Sequence, residues 1–159
     1  MTQDSGRRYR DVMGNFCSGV VVVTALKDNN PIGLTAQSFV ALSIDPELIA
    51  LCPAMSSNTW PGIRKAGRFC INVLAEDQQH VSSAFARSGT DKFADVQWSA
   101  GSGGSPVIQG SICHIDCELE REVEAGDHLV AIGKVVDMQL HRANVGPLLF
   151  FRGQYGSLA

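Results

Sequence analysis

Residues 112–140, ICHIDCELEREVEAGDHLVAIGKVVDMQL, decide the fold. From Ile112 to Glu124 the side chains alternate. Cys113, Ile115, Cys117, Leu119 and Val123 point one way; His114, Asp116, Glu118, Glu120 and Glu122 point the other. A period of two with one wet face marks a long half-exposed strand. Ala125-Gly126-Asp127 makes the turn, and His128 to Leu140 returns as the antiparallel partner.

Outward from this ribbon, short strands dominate. Gly19 to Leu26 is β-branched and apolar and stops at the turn KDNNP; Ile32 to Thr35 begins the return. Phe39 to Ile44 is stopped by Asp45-Pro46, Leu48 to Cys52 by Pro53, and Arg68 to Leu74 is a further strand. Leu148 to Phe151 and Gln154 to Tyr155 flank Arg152-Gly153. Helices are few. Tyr9, Val12, Met13 and Phe16 form an apolar stripe near the N-terminus. Asn58 or Thr59 caps a short helix with Pro61 in its first turn, and Asp77 caps one carrying Val81, Ala84 and Phe85. Residues 87–109 show no period, and GSGGSP within them reads as a flexible loop, over a site or facing solvent. Many strands without strand–helix alternation predict a mainly β antiparallel barrel, not a doubly wound sheet.

Bulk properties exclude several classes. With 159 residues the chain fits one domain, and a net charge of −3 with scattered basic residues gives no nucleic-acid footprint. No apolar run approaches the ~20 residues of a membrane span, and MTQDSGRRYR is no signal peptide, so a cytoplasmic location is expected. Five cysteines, an odd count, argue against a disulfide framework and for buried, inert thiols. Cys113 and Cys117 lie ~13 Å apart along a strand, and the four histidines are scattered, so no metal set is expected.

The candidate chemistry is correspondingly thin. No GxGxxG or phosphate loop is present, no serine sits in G-x-S-x-G, and GSGG at 101–104 lacks the required context. Two hydroxyl-rich stretches, Gly33 to Phe39 and Ser56 to Trp60, set small donors beside apolar segments. They suit a phosphate or the polar edge of a heterocycle, and equally suit plain turns and caps. His128 follows Gly126-Asp127 at a strand start; Asp127 favours its protonated form if the two meet. Phe85, Arg87, Asp91, Lys92 and Phe93 either close over a flat ligand or decorate a helix end.

From Tyr9 to Leu158 the chain resembles the short-chain flavin reductases, the reductase components of two-component flavin-dependent monooxygenases. The resemblance rests on ordered segments: MGNFCSGV (13–20), GLTAQSF (33–39), SIDPEL (43–48), SNTW (57–60), GRFCINVL (67–74), DKF (91–93), GDH (126–128) and PLLFFRGQY (147–155). It implies one domain over residues 1–159, a Greek-key antiparallel split barrel with a few short helices that binds flavin, paired as a homodimer. It places Thr35, Ala36, Gln37 and Ser38 along the isoalloxazine and ribityl chain, continued by Cys52, Pro53 and Ala54. Ser57 and Thr59 would meet the phosphate. Phe85, Arg87, Lys92 and Phe93 would lie near the flavin or a lid, and Tyr155 at the pocket edge. His128 would orient the nicotinamide.

The implied activity is hydride transfer from NADH or NADPH to FMN or FAD, with NADH favoured because no basic pair is assignable to a 2′-phosphate. Such a reaction needs no protein nucleophile, which agrees with the thin inventory. The implied partner is a separate aromatic-ring monooxygenase that receives reduced flavin by diffusion. The chain ends four residues after Tyr155, which predicts a reductase without a fused oxygenase. Two other readings stay open: a split-barrel flavoprotein using tightly bound flavin on a dedicated substrate, and a non-catalytic flavin-binding module.

Overall fold

The computed structural model describes residues 3–159. In chain order its elements are α1 (Gln3–Met13), β1 (Ser18–Gly19), β2 (Val21–Lys27), β3 (Asn30–Ala36), β4 (Val40–Ile44), β5 (Glu47–Leu51), α2 (Trp60–Ala66), β6 (Arg68–Val73) and α3 (Gln79–Ala86). There follow β7 (Trp98–Ala100), β8 (Pro106–Ile108), β9 (Cys113–Ala125), β10 (His128–Leu140), β11 (Leu149–Phe151) and β12 (Gln154–Gly156).

Seven strands form one antiparallel sheet in the order β3-β2-β6-β9-β10-β5-β4. β2 and β5 lie far apart in that order, yet Val21 and Val23 share one core cluster with Ile49 and Leu51. The sheet is therefore strongly curved around this core, and its edge strands β3 and β4 follow one another in sequence without pairing. This is the expected split barrel: mainly β, open, with three short helices. Trp60 and Ile63 of α2 plug one side of the core. Val81 and Phe85 of α3 form a second cluster with Val20, Val22, Leu74, Ile108 and Leu148. The β2–β3 hairpin turns at Asp28 and Asn29, both with positive φ, which matches the right-handed twist of its strands.

The β9–β10 ribbon follows the predicted boundaries, but its faces differ from the expectation. His114 and Asp116, predicted on a wet face, are 5% and 1% exposed. The cause is the segment 87–109. It contains a second hairpin, β7–β8, held against the sheet by buried Asn72 and Thr24. Asn72 Oδ1 accepts from the Ile108 N–H at 2.8 Å, and Thr24 Oγ1 donates to the Pro106 carbonyl. The GSGGSP loop joins the two strands and lies on Asp116: Ser102 donates to Oδ2 through both its N–H and its hydroxyl, at 3.1 Å each. A Cβ on Gly101 would come within 2.6 Å of that same oxygen, so the close approach needs glycine there.

The far half of the ribbon departs for another reason. Gly133 pairs with Leu119 and Ile132 with Arg121, so Glu120 is an extra residue, a β-bulge. One extra residue inverts the phase of everything beyond it. Glu122 consequently turns inward, where it accepts from Trp60 Nε1 and pairs with Arg64 at 2.6 Å, while Val123 is half exposed.

One further expectation is corrected. Gln78, not Asp77, occupies the cap position of α3; Asp77 instead forms a two-pronged pair with Arg142. The apolar stripe of Tyr9, Val12, Met13 and Phe16 is exposed, its first three residues on α1 and Phe16 beyond the helix end.

Candidate functional site

A cleft of about 390 Å³ opens where the barrel splits. One wall is the end of β3 and the residues after it: Leu34, Thr35, Ala36, Gln37 and Ser38. Cys52, Pro53 and Ala54, just beyond β5, form the second, and Ser57 and His128 complete the lining. The strand-like pairing of 53–55 with 127–129 fixes these walls. The Leu129 N–H donates to the Pro53 carbonyl and the Met55 N–H to that of Asp127, both at 2.9 Å, with Ala54 bridging His128. Two residues some 75 positions apart thereby share one small cleft. Larger depressions exist elsewhere, of about 740 Å³ near Trp98 and 670 Å³ beside Phe16. The smaller cleft is the better candidate because several polar groups converge in it.

The hydroxyls divide by what their protons are free to do. Ser38 Oγ accepts from the Cys52 N–H at 2.8 Å. Ser57 Oγ accepts from the N–H groups of Thr59 and Trp60, at 3.3 and 3.1 Å, and so performs the capping of α2 expected of Asn58 or Thr59. Both serines spend a lone pair on the backbone and keep an O–H to donate. Thr35 is the reverse: its Oγ1 donates to the Ser82 carbonyl at 2.7 Å and retains lone pairs. Ser82, fully buried and missed in the sequence, also bonds the Tyr155 hydroxyl at 2.8 Å. It ties Tyr155 to the Thr35 end of the cleft.

His128 Nδ1 lies 2.8 Å from Asp127 Oδ1. A carboxylate only accepts, so Nδ1 carries the proton and Nε2 is the nitrogen left without this partner. The same bond and the charge of the imidazole hold the Asp127 carboxyl below its ordinary range. The meeting that the adjacent residues suggested therefore occurs.

The remaining named residues separate. Lys92 Nζ donates to the carbonyls of Gly33 (2.9 Å) and Phe85 (3.1 Å), with Thr59 Oγ1 at 3.5 Å. Its ammonium thus stands beside Thr59, and partial burial pushes its pKa down. Phe85 is 1% exposed and packs edge-on to Phe93 at 4.8 Å. It belongs to the second core cluster and is not among the residues lining the cleft, its apolar ring removed from water. A Cβ on Gly33 would strike its ring at 2.7 Å. Arg87 is exposed at the end of α3.

Among the cysteines, Cys70 and Cys117 are buried, and burial with the nearby Asp116 charge pushes both thiols up, Cys117 to about 12. These two are buried as expected, and a raised thiol holds little of the reactive thiolate. Cys17 is exposed and Cys52 lines the cleft, so neither is a core thiol.

The cleft suits a flavin. It offers O–H donors at Ser38 and Ser57, acceptor lone pairs at Thr35, an imidazole at His128, and apolar wall from Leu34, Ala36 and Pro53. A planar heterocycle with a polar edge and a ribityl chain needs that mixture.

Residues 13–159 match the family described as flavin reductase like domain. The reductase subunit HsaB of a flavin-dependent monooxygenase from Rhodococcus jostii (strain RHA1) is 46% identical over 149 residues, covering 94% of this chain and 76% of that protein. Nitrilotriacetate monooxygenase component B from Mycobacterium thermoresistibile superposes with a TM-score of 0.95 at 43% identity, over 98% of this chain and 88% of that one. The NADH:FAD oxidoreductase SgcE6 of Streptomyces globisporus C-1027 gives 0.91 at 30%, over 100% and 96%.

Proposed function

The chain belongs to the flavin reductase-like family, and from that premise we propose that it oxidises NADH and reduces FMN or FAD in the cleft between β3, β5 and β10. It is an NAD(P)H-dependent flavin reductase of the kind that supplies reduced flavin to a partner monooxygenase. One observation carries the location: residues 34–38, 52–54, Ser57 and His128 converge on a single cleft.

A bound flavin supplies the hydride-accepting chemistry. The chain's own groups position and stabilise. Ser38 and Ser57 donate hydrogen bonds to flavin acceptors, Thr35 accepts, and Thr59 with the adjacent Lys92 ammonium favours the phosphate. His128, its tautomer held by Asp127, orients the nicotinamide through Nε2. No lysine or arginine lines the cleft, which supports NADH over its 2′-phosphorylated form. Flavin is an exchangeable carrier released by diffusion, and the partner hydroxylates an aromatic ring. The active form is a cytoplasmic homodimer. In its support, apolar side chains of β4 and β10 stand exposed, among them Ile44 (91%) and Leu140 (62%).

Anaerobic stopped-flow absorbance with NADH and excess free FMN, then FAD, tests this reading. Multiple turnovers that bleach the added pool are expected, and their rates rank the two flavins. A single stoichiometric reduction of retained flavin would point to a dedicated flavoprotein. No oxidation of NADH or NADPH would leave only a binding module.

A further inference from the structure

Two of the four histidines, scattered in sequence, come together in the fold. His114 Nδ1 lies 2.7 Å from His141 Nε2, and the rings stack at 4.9 Å. The other nitrogen of His114 faces Asp116, with Nε2 to Oδ2 at 3.7 Å. Asp137 pairs with Asp116 across β9 and β10, and His114, Asp116 and Asp137 each bring a ligand atom within 4.8 Å of the others.

We propose that His114, Asp116 and Asp137 bind a first-row divalent cation, a site separate from the flavin cleft. Asp116 is 1% exposed, its Oδ1 has no hydrogen-bond partner, and among the described residues no lysine or arginine pairs with it. A buried carboxylate without a countercharge is costly. The His114–Asp116 separation is too long for a hydrogen bond, yet near the ~3.4 Å that separates two ligands at ~2.1 Å from a tetrahedral ion. His141 completes the arrangement. By accepting from His114 Nδ1–H it leaves the Nε2 lone pair toward the carboxylates, as an outer partner orients a ligating imidazole. One imidazole with two carboxylates suits zinc or manganese, with solvent in the remaining position on the exposed Asp137 side. The site lies ~30 Å along β10 from His128, so its role is to pin the 101–105 loop and the strand ends together.

The test is equilibrium dialysis of untagged, chelator-treated full-length protein against Zn²⁺, with a thermal melt alongside. Saturable uptake of one ion per chain and a raised melting temperature are expected. Asp137→Asn changes an exposed residue, so it keeps the fold and is the deciding variant. Its affinity should fall at least ~10-fold, and His141→Ala should weaken binding within the ~10–100-fold range of outer-partner losses. No saturable uptake by the unaltered protein, or equal uptake by Asp137→Asn, would overturn the site and leave a plain histidine–aspartate contact.

Discussion

At the scale of single residues, the site works through hydrogen-bond direction. Ser57 caps α2 with its lone pairs and keeps its proton for a ligand. Ser57→Ala should therefore raise the flavin dissociation constant about 10-fold, roughly 1.4 kcal/mol. Flavin fluorescence titration reads it, and kcat at saturating flavin should change little, since ground-state binding is what is lost. His128→Asn should act differently, lowering kcat/KM for NADH on the order of 10-fold while flavin affinity holds. Asp127→Ala should shift the same parameter in the same direction by a smaller factor, because it removes only the restraint on Nδ1. Equal flavin and NADH effects in the two His128-pair variants would contradict an orienting role. The Gly126-Asp127-His128 triplet was legible because its partners are adjacent in the chain. Ser82 was not, since its partners Thr35 and Tyr155 come from β3 and β12.

At the scale of elements, the β7–β8 hairpin is the piece that local pattern could not supply. Its strands have three residues each, too few to show a period, and their attachment is polar. Asn72 supplies much of it, donating to the Val22 carbonyl and accepting from Ile108 N–H with no exposure to solvent. Asn72→Ala should cost ~2–3 kcal/mol in urea unfolding, the penalty of stranding buried backbone groups. α3 is tethered at its start by Asp77 and Arg142, bonded twice at 3.0 Å. The guanidinium holds the Asp77 carboxyl below its ordinary value of 3.8. The folded state thus binds this proton less readily than the unfolded one. The pair's contribution is present above about pH 4 and is lost as pH falls through the depressed value. Because both side chains are substantially exposed, solvent screens the pair and that contribution is small. Asp77→Asn should therefore destabilise slightly at pH 7 and not at pH 2, by chemical denaturation at each pH.

At the scale of the whole molecule, one chain leaves apolar surface unburied. The stripe of α1 and the outer residues of β4 and β10 (Val40, Ile44, Val136, Met138 and Leu140) are too many to be solitary exposed residues. Sedimentation at micromolar concentration should show a dimer, and Leu140→Glu should shift it toward monomer. A monomeric unaltered protein would remove the homodimer from the proposed function. Described residues include no helix long and apolar enough to cross a membrane.

Most of the strands, the long ribbon and the order of the motifs were legible in the sequence, because alternation and turn chemistry act between near neighbours. It also carried the family, through segments spread along the whole chain. Tertiary structure alone decided which face of the ribbon is wet. The hairpin that buries His114 and Asp116 and the bulge at Glu120 that turns Glu122 inward are both invisible to a period of two. It also buried Phe85 in the second core cluster and brought His141 onto His114. Such pairings depend on how a curved sheet closes on itself, and contacts between distant strands leave no local periodic trace.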